Sequence, residues 1–198
     1  MGRKHREERR EKREDFVVKR SQQKRKNTLL AVGILGLIGL IIGYASFTFV
    51  TMDSNAPGAP PGAGKLGDEH EHASLLVRIF GDKFDFSATT YQIKSSWIHF
   101  EESDGNTIHR HSSGVALSYL FETLSIGIDE NCYTFPDGRE FCTNEEYSLK
   151  YFINHKQVND IREYVVMEED RILISYGNDD NSAIEKQLSE LDSQIINR

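Results

Sequence analysis

From Thr28 to Val50 the chain reads TLLAVGILGLIGLIIGYASFTFV, 23 residues without a charge. A helix of that length covers roughly 34 Å, enough to cross a hydrocarbon core of about 30 Å. A cleaved signal peptide is the competing reading. Its apolar region is shorter, about 7–15 residues, and ends at a small-x-small site. FTFVTMDSN, which closes this run, contains no convincing site of that kind, so the pattern predicts an uncleaved transmembrane helix over 28–50.

Beyond the span, DSNAPGAPPGAGK is rich in Pro and Gly and predicts a flexible linker over 51–65. Residues 66–178 then alternate between strand and helix patterns. SLLVRIF, KFDFS and YQIKSSWIHFE are β-branched and aromatic runs bounded by Gly or Asp, and they predict strands. In SSGVALSYLFETLSIGI, the spacing of Leu117, Leu120, Phe121 and Leu124 predicts a helix, with Ser112 or Ser113 as its cap. YSLKYFINHKQV and IREYVVMEEDRILISYG return to strand character, the latter turning at Glu169-Asp170. Ile184, Leu188, Leu191 and Ile195 form one stripe of an amphipathic helix over 181–196, expected to dock on its own domain. Strands, a helix and further strands predict an α+β domain.

Charge divides the chain the same way. Residues 1–27 hold twelve Lys or Arg against five Asp or Glu, a net of +7; the whole chain is −7, so residues 28–198 carry −14. A basic cluster before the span keeps the N-terminus cytoplasmic and puts the acidic domain outside. Membrane lipid is the expected partner of the basic segment. No aromatic residue is interleaved with its cations before Phe16, so nucleic acid is not expected. Within the span Gly36, Gly39 and Gly43 share a helix face, which offers a route to a homo-oligomer or a membrane complex.

Cys132 and Cys142 bracket CYTFPDGREFC, whose Pro-Asp-Gly core is a turn signal. Antiparallel arms bring the sulfurs together, and an oxidising compartment closes the disulfide. A redox-active pair is the alternative, but thiol-exchange catalysts use C-x-x-C beside a helix N-terminus.

Candidate chemistry gathers on histidine. His70, His72, His99, His109 and His111 fall in one stretch, two pairs of them as His-x-His. In a strand, residues two apart share a face, so each pair offers two imidazoles to one ion. Copper or zinc is the cofactor such a set takes, with copper the stronger binder, and Glu71 or Glu101 is placed to add oxygen. Solvated or hydrogen-bonded histidines are the alternative. Register bears on His99. A two-residue Asp104-Gly105 turn pairs Phe100 with His109 and puts His99 on the other face. A three-residue loop, Asp104–Asn106, pairs His99 with His111 and separates Ile98, Phe100 and Ile108 from His99, His109 and His111. The apolar pattern favours the second, with Gly105 or Asn106 in the αL conformation.

GVALSYLFETLSIGI, YSLKYFINHKQV and YVVMEEDRILISYG together resemble the β-grasp class, most closely the module at the C-terminus of transcobalamin-type proteins, over roughly 112–177. Those modules have an Asn-Gly turn and a Gly-Asp before the last strand; here Asn154-His155 and Glu169-Asp170 stand there. The resemblance implies a β-grasp-like binding or scaffold domain. The whole layout, with DGNTIHRHSSGVAL, NC…C and ISYGN, also resembles a group of archaeal single-span membrane proteins of unknown function. Some of that group carry a protein disulfide isomerase label, which the missing C-x-x-C leaves unsupported.

No Ser-His-Asp signature, H-E-x-x-H or Gly-rich phosphate loop is present, so the sequence points away from an enzyme. It predicts a membrane-anchored extracytoplasmic binding module, possessing a histidine metal site. A thiol-disulfide oxidoreductase and an accessory subunit of a membrane complex are the alternatives.

Overall fold

The computed structural model describes residues 2–51 and 58–198, and divides them between two compact units that meet in the segment around Asp53 and Ser54. The first is one helix, α1 (Gly2–Thr51), which runs through the basic segment and the apolar one without a break. Its stretch Gln23–Thr48 is long and apolar enough to cross a membrane, a test that an N-terminal signal sequence also passes. Within it the Thr28 and Thr48 hydroxyls donate back to the Lys24 and Tyr44 carbonyls, which satisfies both groups inside the helix. A Cβ built on Gly36, Gly39 or Gly43 meets no atom within 4 Å, so their face is open.

The second unit is a mixed α+β domain. Its strands are β1 (Glu71–Ile79), β2 (Asp82–Lys83), β3 (Ile98–His99), β4 (Thr107–Arg110), β5 (Gly127–Ile128), β6 (Cys132–Thr134), β7 (Glu140–Cys142), β8 (Ser148–Ile153), β9 (Lys156–Val158) and β10 (Arg171–Gly177). Among the described residues the main sheet runs β3-β4-β1-β10-β8-β9, with β2 paired to β1, and β5-β6-β7 form a second, small sheet. The central pair, β1 and β10, is parallel; β4 and β8 flank it antiparallel.

Strand β1 is buried on both faces, which is why its sequence is a continuous apolar run rather than an alternating one. Ala73, Leu75 and Val77 enter the main core, where Leu117, Leu120 and Phe121 of the helix α2 (Leu117–Thr123) meet them. Leu76 faces the other way, into a second cluster with Leu173, Ile184, Leu188 and Leu191. Three of those come from α3 (Asn181–Ser193), which docks on its own domain. Asp180 caps α3 by accepting from the Ala183 amide at 2.8 Å. Arg171 donates to the Leu191 and Gln194 carbonyls at its far end. The helix stops there, so Ile195 leaves the stripe and is 78% exposed.

Several local expectations are corrected. Neither Ser112 nor Ser113 caps α2: the cap is Ala116, which makes no side-chain bond. The orphan amides of Leu117 and Ser118 instead donate to the Tyr164 and Arg162 carbonyls. That use of the backbone keeps the residues before β10 out of the sheet, so IREYVVMEED forms no strand. KFDFS keeps only Lys83 in a strand, and YQIKSSWIHFE keeps only Ile98 and His99. Within the Pro/Gly linker, residues 52–57 lie outside the described set. Residues 58–65 are not a free tether: Pro60 is buried, Gly64 donates to the Ser113 carbonyl at 2.8 Å, and Ala63 packs on the core.

The β3–β4 connection is wider than either expected loop. Ile98 pairs with Arg110 and His99 with His109. Phe100 turns its carbonyl to the Ile93 amide instead of to β4, and the Gln92 side chain bonds Ser103, Phe86 and Asp104 across the loop. Asp104 then accepts from the Asn106 amide and the Thr107 hydroxyl, both at 2.7 Å. The positive φ values fall on Glu102 and Ser103, not on Gly105 or Asn106.

Candidate metal centre

The strand periodicity and the observed pairings build a grid of imidazoles. His72 on β1 lies opposite His109 on β4, and His109 lies opposite His99 on β3. One step along, His70 and His111 continue the same face of β1 and β4. All five predicted histidines therefore come together. Ring centroids are 4.9 Å apart for His72 and His109, 4.7 Å for His70 and His72, 4.4 Å for His70 and His111, and 4.9 Å for His99 and His111. In His70, His72 and His109, one ligand atom per ring lies within 4.8 Å of the others. His155 is elsewhere, facing Asp192 at 2.9 Å.

This is not a wet face throughout. His72, His99 and His109 are only 7%, 7% and 4% exposed, while His70 is open to solvent and His111 is half-buried. Buried imidazoles need partners for both nitrogens, and two of these lack one. The His72 Nδ1 lies 3.1 Å from Glu168 Oε2, whereas its Nε2 is buried with no partner. The His109 Nδ1 is 3.4 Å from Glu101 Oε1, within ion-pair distance but out of alignment for a hydrogen bond. A carboxylate on Nδ1 fixes the tautomer and leaves the Nε2 lone pair facing outward, the arrangement by which metal-ligating histidines are oriented.

The supporting residues come from segments that local pattern does not connect to the histidines. Glu168 also accepts from the His72 amide at 2.7 Å, and Arg198 Nε stands 3.2 Å from its other oxygen. Burial pushes the Glu168 carboxyl up, but the two bonds from His72 and the Arg198 charge more than offset it, holding it below the ordinary range. On the far side of the grid the Ser95 carbonyl lies 2.6 Å from His99 Nδ1. Glu101, expected as an oxygen donor, does reach the cluster; Glu71 does not, its carboxylate being taken by the Glu168 amide at 2.6 Å. Glu168, Arg198 and Ser95 carry no sequence signal of this role.

Electrostatics keep the rings neutral. Burial lowers the His111 pKa to about 4, with His99 and His70 reinforcing it. Burial also lowers that of His109; Glu101 opposes this, and His72, His99 and His70 add to it. Neutral imidazoles are the form that binds a metal.

One edge of the grid is walled by the chain after α3. Gln194 accepts from the Ser74 hydroxyl at 2.6 Å, and Asn197 donates to Asp104 at 2.6 Å. Cys132 and Cys142, the other predicted pair, lie opposite one another in β6 and β7 and are bonded, sulfur to sulfur, at 2.08 Å. Neither stands at a helix N-terminus.

Compared with protein-family models, curated proteins and solved structures, the chain matches none. The donor set must therefore speak for itself. A His70/His72/His109 group can hold a metal ion, and its chemistry, three imidazoles on a rigid sheet, fits copper or zinc.

Proposed function

We propose that this protein is a membrane-anchored binding module whose α+β domain, held outside the cytoplasm by α1, takes copper or zinc at His70, His72 and His109. The observation that carries the reading is the buried, unpartnered Nε2 of His72, whose other nitrogen is fixed by Glu168. Leaving such an atom unpaired costs about 1–3 kcal/mol, and a metal ion at that position removes the cost. The Cys132–Cys142 bond supports an oxidising compartment, and the basic residues before the apolar stretch support the orientation. The parallel central strands flanked by antiparallel ones, with α2 packed on one face, support the β-grasp-like description.

The test is a calorimetric titration of the full chain in detergent, stripped with a chelator, against Cu(II) and Zn(II). Saturable binding that His72→Ala and His109→Ala abolish is expected. Binding indifferent to both changes, or none at all, overturns the reading.

A further inference from the structure

Five imidazoles are more donors than one four-coordinate ion takes. With His70, His72 and His109 assigned to one ion, His99 and His111 remain, and Glu101 stands against them.

His99 shows what they lack. Its Nδ1 lies 2.6 Å from the Ser95 carbonyl, which can only accept, so Nδ1 carries a proton. In the neutral ring Nε2 is then a lone pair, yet it faces Glu101 Oε2, another acceptor, at 3.2 Å. Two acceptors at that distance need a positive charge between or beside them. A proton on Nε2 would meet the need for His99 alone. A metal ion would also employ His111, whose ring lies 4.9 Å from that of His99 at an interplanar angle of 26°. The spacing suits it: two ligand atoms on a tetrahedral zinc are about 3.3 Å apart, given Zn–N and Zn–O bonds of about 2.0–2.1 Å. Glu101 Oε1 meanwhile points to His109 Nδ1, so the carboxylate reaches towards both halves of the grid.

We infer that the histidine face holds two ions, the second a zinc bound by His99 Nε2, His111 and the Glu101 carboxylate beside the first. This rests on the metal-binding reading above and deepens it. Two nitrogens and one oxygen form a zinc donor set that leaves a fourth position open. The way in lies along the exposed side of the grid, at His70 and His111.

The test is zinc content. The full chain in detergent is stripped with a chelator, incubated with excess Zn(II), dialysed and measured by plasma mass spectrometry. Two zinc ions per chain are expected. Glu101→Gln and His99→Ala should each bring the count to one, His72→Ala should also leave one, and His155→Ala should leave two. One zinc per wild-type chain overturns the second site and leaves the first standing; no zinc overturns both. Two ions retained in Glu101→Gln overturn the assignment of the donors. Circular dichroism verifies that each variant is folded, and the wild-type count decides the matter even if His99→Ala does not fold.

Discussion

Replacing Glu168 tests how the site is held, because that residue touches the presumptive ligand His72 twice and is remote from it in sequence. Its Oε2 takes the His72 amide at 2.7 Å and lies 3.1 Å from the ring Nδ1. Hydrogen bonds to a charged acceptor contribute about 1.5–3 kcal/mol and neutral ones about 0.5–1.5 kcal/mol. Glu168→Gln keeps an acceptor oxygen but loses its charge, so about 1–2 kcal/mol of orientation is lost. Glu168→Ala removes both contacts. In metal affinity the expected fall is about 10-fold for Gln and approaching 100-fold for Ala, the range seen when outer partners of ligating histidines are removed. The assay is competition of the full chain with a chromophoric chelator for Zn(II) and Cu(II). The backbone bond from the Glu169 amide to the His72 carbonyl survives both changes, so the loop remains tied to β1. Unchanged affinity in both variants, with circular dichroism intact, would refute the view that Glu168 sets the His72 tautomer.

Other outcomes follow from the same contacts. Reducing the Cys132–Cys142 bond, which spans a sequence separation of 10, should lower unfolding free energy by about 2.8 kcal/mol in the chain-entropy model, read from urea denaturation with and without reductant. Gly105→Ala should destabilise by about 1–3 kcal/mol, because its new Cβ would stand 2.5 Å from the Ser87 amide nitrogen and 2.8 Å from that of Phe86, both backbone atoms. Metal-free protein should lose stability as pH falls from about 6.5 towards 4. His109 and His111 take up protons in the unfolded chain before the folded one does, and the loss levels off below the His111 value of about 4. Denaturation midpoints between pH 7 and 4 check this; a flat profile would contradict it.

The histidine grid was legible because strand alternation depends on parity alone. Residues 99, 109 and 111 share a face under any even register, so the grouping survives although the actual pairing of His99 with His109 differs from the one the turn residues suggested. The turn itself was not legible. Asp104 and Gly105 look like its tip, but the loop is organised by Gln92, eleven residues before Ser103, and no local pattern announces such a contact. Short strands hid for a related reason: aromatic residues such as Phe84 and Phe86 are there to fill the core with Tyr91 and Phe135, and they need no ladder to do so. The α3 stripe was readable through Leu191 and failed at Ile195, where Arg171 ends the helix from across the sheet. Glu168 and Arg198 were invisible because their role depends on tertiary distance.

Arg198 grips both Glu168 and Glu169, so anything grafted beyond it is delivered to the rim of the imidazole grid. A purification handle made of histidines and placed there would bring its own donors to the metal-binding face and blur every stoichiometry measured. The same handle at the opposite terminus, or a handle free of nitrogen heterocycles, keeps the count honest.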